Sequence, residues 1–240
     1  MPDSRAAGVA TGMPPRPRLS VIIPALNEAT QLPKLLEDLV PLREQGDEII
    51  LVDGGSTDDT LQLASGAADC VLSSPAGRAR QMNAGAAEAA GDVLWFLHAD
   101  TRVPAATIAA VRQFQTAGHV WGRLRVQLSG RRPMFRIIET MMNARSCLSG
   151  IATGDQGILV TRDAFRRVGG IPEIPLMEDI ELSRRLKRAV GRPACIKADL
   201  VTSSRRWEER GVWPTVWLMW RLRLAYWAGT DPATLARWYR

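Results

Sequence analysis

The sequence predicts an α/β protein with a mixed, mainly parallel sheet, on three observations. Apolar runs of strand length alternate with segments of helical period from Leu19 onward. A later segment switches to strict alternation, and glycines and acids gather where strands end. In chain order, "LSVIIP" reads as the first strand, and Leu32, Leu35, Leu36 and Leu39 mark the first helix. "EIILVD" is the second strand, which completes a βαβ opening. After "GGSTDDT" come a helix-compatible stretch, the short strand "CVLSS", an Ala-rich helix from about Arg80 to Ala90, and an apolar strand from Val93 to Leu97. In "VWGRLRVQL", Val120, Gly122, Leu124, Val126 and Leu128 share one face, as in a half-exposed strand. A helix over 133–147, a strand "GILV" and a helix over 179–189 follow.

With 240 residues, 46% of them hydrophobic, the chain suffices for one large domain, expected over 18–210. Residues 1–17, rich in Pro, Gly and Arg and without the apolar segment of a signal peptide, read as a flexible lead-in. A net charge of +6 suits anionic ligands such as nucleotide phosphates or a lipid surface. Cys70, Cys147 and Cys195 are odd in number and far apart, which fits neither a disulfide framework nor a zinc knuckle and points to a reducing, cytoplasmic compartment.

Residues 211–240 read as an amphipathic Trp- and Arg-rich helical extension. Trp213, Trp217, Trp220, Leu224 and Trp227 form one stripe on a helix, with Arg221 and Arg223 flanking it. Those arginines interrupt the apolar run, so a span of about 20 residues is not available. Packing on the protein body or a second subunit is the usual fate of such a stripe. Peripheral contact of 211–229 with the inner face of a membrane is the other.

Four segments carry chemistry. "SVIIPALNEA" sets Pro24, Ala25, Asn27 and Glu28 just after the first strand, at the carboxyl edge where open α/β sheets bind ligands; a plain loop with Asn27 or Thr30 as helix cap and Pro33 in the first turn is the structural reading. "ILVDGGSTDDT" ends a strand on Asp53 beside Gly54. Asp58 and Asp59, behind a Ser56 or Thr57 cap, have a structural cause in the helix dipole, but Asp53 does not, and suits hydrogen bonds from a base or ribose. "GRARQMNAGA" places Gly77, Arg78 and Arg80 at a helix N-terminus, which suits a diphosphate. In "FLHADT", His98 and Asp100 project from one face of a strand end and can converge on one ion. Neither G-x-x-x-x-G-K-[ST] nor a post-strand G-x-G-x-x-G is present, which argues against kinase-like and dinucleotide-dependent enzymes.

Together with "TGDQGILV", "MEDIEL" and "SSRRWEERG", these blocks resemble glycosyltransferase family 2 proteins of GT-A, Rossmann-like fold, over about residues 19 to 230. The resemblance is strongest to a short branch of that family, some members of which are associated with arsenosugar biosynthesis. It implies a metal-dependent, inverting transferase that moves sugar from a UDP- or GDP-linked donor to an unidentified acceptor, with no nucleic acid partner.

By that resemblance Pro24, Ala25, Asn27, Glu28 and Asp53 hold the nucleotide, and His98 and Asp100 match the Asp-x-Asp element that binds Mn²⁺ or Mg²⁺ and the diphosphate. Glu178 and Asp179 match the acidic pair, with Asp179 the base. Arg206 and Trp207 match a motif that contacts donor phosphate or acceptor. Three positions depart from the pattern: His98 replaces the first Asp, Met82 stands where an Arg is often found, which leaves that role to Arg78 or Arg80, and Ser203 occupies the usual Gln or Arg position. A nucleotidyltransferase would share the sheet and acidic metal site, but needs a Gly-rich basic loop where this chain has "PALNEA". A non-catalytic nucleotide-sugar-binding or membrane-surface protein is the third alternative.

Overall fold

The structure, a computed structural model, describes residues 18–239. The βαβ opening consists of β1 (Leu19–Ala25), α1 (Leu32–Arg43) and β2 (Glu48–Asp53). It is followed by α2 (Thr60–Ala64), β3 (Cys70–Ser73), α3 (Arg78–Glu88) and β4 (Val93–Phe96). The chain continues through β5 (Thr101–Arg102), α4 (Ala105–Thr116), β6 (Trp121–Leu128), α5 (Pro133–Ser149) and a 3-10 turn at Gly154–Gln156. The rest is β7 (Ile158–Thr161), α6 (Arg162–Arg167), α7 (Glu178–Val190), β8 (Ala194–Thr202), α8 (Arg205–Arg210), α9 (Val212–Trp227) and α10 (Pro232–Tyr239).

One sheet has the order β3-β2-β1-β4-β7-β6-β8-β5. β3, β2, β1 and β4 are mutually parallel, β7 runs against β4 and β6, and β8 pairs parallel with β6 and antiparallel with β5. The mixed, mainly parallel sheet is thus as expected. After β1 the chain builds outward to β3 and then returns to the other side of β1 for β4. This reversal opens a crevice at the carboxyl ends of β1 and β4, the usual place for a ligand in such sheets.

Strand alternation divides the core into two layers. Val21 and Ile23 of β1, Ile49 and Leu51 of β2, and Val93 and Trp95 of β4 pack with the leucines of α1 and with Ile108, Val111 and Phe114 of α4. Ile22, Ile50, Val52, Leu94 and Phe96 point the other way, to Ala79, Met82 and Ala86 of α3 and Leu182 and Leu186 of α7. At β6 the expectation of a half-exposed strand holds only for its second half. Leu124, Val126 and Leu128 are buried while Arg125 on the opposite face is exposed, but Trp121 and Arg123 on that face are buried too, Trp121 in the layer that holds Leu182 and Leu186 of α7.

A disulfide joins Cys147 to Cys195, with Cα atoms 6.0 Å apart, where the sequence spacing suggested no such link. The two are 48 residues apart in the chain, but α5 lies on β6, and β6 pairs with β8. The Trp stripe of α9 also corrects an expectation, that of packing on the protein's own body. Trp213, Trp217, Trp220, Leu224 and Trp227 are all exposed, while Leu222 on the other face packs with Met177 and Leu235. The proposed lead-in 1–17 lies outside the described residues.

Candidate active site

Three strand ends and two helix N-termini, those of α3 and α7, meet at the crevice. The loop after β1 is cross-linked to the loop after β2 rather than capping α1. Asn27, with φ of 55°, receives Thr57 N–H on Oδ1 at 2.8 Å and donates its own N–H to Ser56 Oγ at 2.9 Å. Glu28 N–H reaches Thr60 Oγ1 at 2.8 Å, and Ala29 N–H reaches Asp58 Oδ2 at 3.1 Å. Helix α1 then begins with Gln31 at its N-cap, without a side-chain cap bond, and with Pro33 in the first turn as expected. Helix α2 starts later than its Ser and Thr suggested; Asp58 itself accepts the Thr60 N–H at 3.0 Å.

Asp53 has a structural cause after all. It is 1% exposed, and its carboxylate accepts Gly55 N–H at 2.8 Å and Ser56 N–H at 3.0 Å, which shapes the turn. Beneath Gly54, the buried Gln81 amide donates to Ala25 O at 2.8 Å and Val52 O at 2.9 Å and ties β1, β2 and α3 together. Its side chain fills the space a Cβ on Gly54 would enter, at 3.0 Å, so residue 54 stays small. Gln81 had no assigned role in the sequence reading, because a glutamine on a helix carries no signal of its partners.

At the start of α3, Gly77 has φ of 141°, a conformation that favours glycine. Arg80 turns away to Glu173, 3.3 Å off, and both side chains are exposed. Arg78 turns inward, with Nη1 3.3 Å from Glu178 Oε1. Burial opposes the Arg78 charge, but the carboxylates of Glu178, Asp179, Asp155 and Asp100 outweigh it and hold the guanidinium above its usual pKa. The Arg78 side is therefore the one aimed at the crevice.

His98 pairs with Asp155: its Nδ1 lies 3.3 Å from Asp155 Oδ1. Its Nε2 is buried without a partner, and a Cβ on Gly154 would come within 2.4 Å of it. For Asp155, burial is outweighed by the His98 hydrogen bond and charge and by Arg78 and Arg206, so its carboxyl sits below the usual range. The sequence reading quoted Asp155 within "TGDQG" but gave it no role. Asp179 Oδ2 accepts the Gly154 N–H at 2.9 Å and Oδ1 accepts Ile180 N–H at 2.7 Å, so Asp179 grips the same turn. Glu178 is buried; that burial, then the charge of Asp179, pushes its carboxyl up, and Arg78 partly offsets the rise. Arg78, His98, Gly154, Glu178 and Asp179 line one small cavity with Met82 and Phe96.

Asp100 is half-buried and accepts no hydrogen bond from a described residue. Its charge helps to raise the Glu28 carboxyl, second to burial. An uncommitted carboxylate beside a second acid fits a divalent cation shared with phosphate oxygens, which requires only one or two protein carboxylates. Among the described residues no group of three His, Cys, Asp or Glu side chains forms a cage. Arg206 lies over the Tyr239 ring at 4.2 Å, and burial lowers its pKa against the pull of Asp155 and Asp100. Trp207 is elsewhere, packed with Leu128, Phe135 and Ile138, so its large ring serves the body of the protein.

The model of the family "Glycosyl transferase family 2" matches residues 20–167, from β1 through α6. The chain belongs to that family. An undecaprenyl-phosphate 4-deoxy-4-formamido-L-arabinose transferase of Serratia proteamaculans is 32% identical over 168 residues, which covers 64% of this chain and 50% of the relative. An uncharacterized glycosyltransferase of Mycobacterium tuberculosis is 34% identical over 116 residues, 44% of each chain. The chain therefore spans about half the length of the curated relatives it matches.

Solved structures of GT-A fold are similar. The mannosyltransferase PcManGT of Pyrobaculum calidifontis, in complex with GDP-Man and Mn²⁺, superposes with a TM-score of 0.63 at 22% identity, over 88% of this chain and 61% of that one. Glucosyl-3-phosphoglycerate synthase of Mycobacterium tuberculosis, with Mg²⁺ and UDP, gives 0.57 at 22% identity, over 78% and 70%. Beyond the family match, the second half of this family 2 chain brings two more arginines to the site. Arg145 of α5 and Arg223 of α9 each feel the charge of Asp179, Arg145 also feels that of Arg223, and neither has a hydrogen-bond or ion-pair partner among the described residues. Burial lowers both, Arg145 to about 10.

Proposed function

We propose that this protein transfers a glycosyl group from a nucleotide-diphosphate sugar to an acceptor with inversion, in a metal-dependent reaction. One observation carries the reading: an uncommitted Asp100 and an inward Arg78 face an acidic pair, Glu178 and Asp179, across the crevice at the β1/β4 reversal. The cross-linked loops at Asn27 and Asp53 form a rigid seat for the nucleotide, with Pro24, Ala25, Glu28 and Gly54 around it.

A Mn²⁺ or Mg²⁺ ion at Asp100 would neutralise charge building on the leaving diphosphate. His98 enters this reading as the residue that positions Asp155 beside Arg78, because its Nδ1 is engaged there. Arg78, with Arg206 behind it, holds the diphosphate oxygens through charge-assisted hydrogen bonds. The acceptor hydroxyl oxygen bonds to the anomeric carbon as the bond to the diphosphate oxygen breaks, and its proton passes to Asp179. Two hydrogen bonds leave that carboxylate with free lone pairs for the proton. Glu178 fixes Arg78. On the acceptor side, Arg145 and Arg223 favour an acceptor that carries a negative charge.

The test is thermal unfolding with UDP or GDP, with and without Mn²⁺. A ligand that binds the native state raises its stability, so the midpoint should rise with nucleotide and metal together. Asp100→Ala should abolish the metal-dependent part. A rise that ignores metal, or that survives Asp100→Ala in full, would overturn the assignment.

A further inference from the structure

The outward face of α9 is the feature of the molecule that the transfer reaction does not use. Trp213, Trp217, Trp220, Leu224 and Trp227 are 70%, 72%, 59%, 66% and 80% exposed and lie on one face. Meanwhile Thr215 and Leu222 are buried on the other, so α9 is anchored in a fixed orientation with its aromatic side outward. Such a patch on a folded surface marks a contact with something apolar.

A second apolar stripe lies on α5, where Ile137, Met141 and Leu148 are 54%, 58% and 78% exposed at helical spacing. The two helices are neighbours. Met134 and Met142 of α5 share a cluster with Trp207 and with Val212 at the start of α9, and Arg145 and Arg223 lie within reach of each other's charge. Both stripes are edged by cations: exposed Arg131 and Arg132 lead into α5, and exposed Arg221 stands over the Trp238 ring at 4.6 Å.

Between Val212 and Trp227 there is no Asp or Glu. That absence selects the occupant. A second copy docking through the same helix would set arginine against arginine with no acid in either helix to offset them. An anionic bilayer instead offers phosphate oxygens to Arg221 and an apolar layer to the tryptophans, the arrangement of interfacial helices. Helix α9 has 16 residues, about 24 Å at the α-helical rise. That is short of the roughly 30 Å hydrocarbon core, and no helix among the described residues is long and apolar enough to cross a membrane.

We propose that the α9 face, continued by the exposed stripe of α5, docks in the plane of an anionic lipid surface. The proposal goes beyond the transferase reading and stands apart from it, since vesicle binding requires no donor. The test is flotation of the full chain with vesicles of phosphatidylcholine alone and of phosphatidylcholine mixed with phosphatidylglycerol. Wild type should float with the mixed vesicles, weakly or not at all with the neutral ones, and its tryptophan emission should shift to the blue.

The triple variant Trp213→Ser, Trp217→Ser, Trp227→Ser should lose binding at least about tenfold while it retains the wild-type melting temperature. Arg221→Glu, which leaves every tryptophan in place, should weaken binding to the mixed vesicles alone. Wild type that stays unbound to mixed vesicles, or a triple variant that binds as wild type does, overturns the proposal. So does a solution dimer that the triple substitution dissolves, which would identify a second copy as the occupant.

Discussion

On the wall built from β1, β2 and α3, polar groups close on one another. Asp53 takes two backbone N–H groups, Asn27 bonds Ser56 and Thr57 across two loops, and Gln81 donates to two strand carbonyls. On the wall built from α5, α9 and the Gly154–Gln156 turn, Asn143 and Gln156 bond each other and the backbone, but buried polar groups are left over. Arg145 and Arg223 have no partner among the described residues, and His98 Nε2 is buried unpaired. The first wall has the character of a finished scaffold, stable without a ligand. The second keeps cations in a dehydrated place, which is unfavourable until an anion arrives. The crevice thus sets a braced wall against one that keeps unpaired cations.

Three substitutions break or sharpen that contrast, in decreasing order of effect. Asp179→Asn sits where the walls meet. It should cut transfer by about a thousandfold, the scale of a lost general base, while the nucleotide-and-metal thermal shift persists. Near-native turnover in a donor-consumption assay would remove Asp179 from that role.

Gln81→Leu strikes the finished wall and removes both hydrogen bonds of the buried amide, to Ala25 O and Val52 O, although Ala25 O keeps the Gly54 N–H. It should destabilise the protein by about 2 kcal/mol in urea unfolding. A loss under a few tenths would show that the wall does not depend on its brace.

Arg145→Met strikes the unfinished wall and has the opposite sign. Burial, then Arg223, lowers the Arg145 pKa from the usual guanidinium range to about 10. The folded state therefore binds that proton less well than the unfolded chain does. The penalty is complete below about pH 10, where both states are charged, and fades as pH rises from there toward the usual guanidinium range. At neutral pH the variant should be more stable by roughly 1 kcal/mol, a figure reduced for the partial solvent access of the side chain. Its response to phosphate, titrated with UDP and Mn²⁺ saturating, should weaken. A destabilised variant would mean that Arg145 is structural.

Much of the first wall was legible in the sequence, because its information is local. Strands buried on both faces are continuous apolar runs, α1 displays its leucines at helical spacing, and the loop blocks are short enough to quote. Asp53 was placed correctly at a strand end, yet its two backbone bonds arise from the turn geometry of Gly55 and Ser56, which composition does not reveal. The second wall was hidden because its side chains come from segments far apart in the chain. Strand β8, "ACIKADLVT", by contrast buries Ala198, Leu200 and Thr202 in alternation with Lys197 and Asp199, a readable period-two pattern. Helix α4 likewise shows a readable spacing at Ile108, Val111 and Phe114.

By itself, then, the sequence determined the α/β class, the order of the central elements and the family. Each rests on periodicity or on a contiguous motif, which depends on residues close in the chain. Only the tertiary structure decided that His98 turns to Asp155, that Arg78 rather than Arg80 faces the crevice, that Cys147 meets Cys195, and that the Trp stripe lies outward. These are outcomes of competition among partners distant in sequence, and only packing, which sets distance and solvent access, ranks such partners.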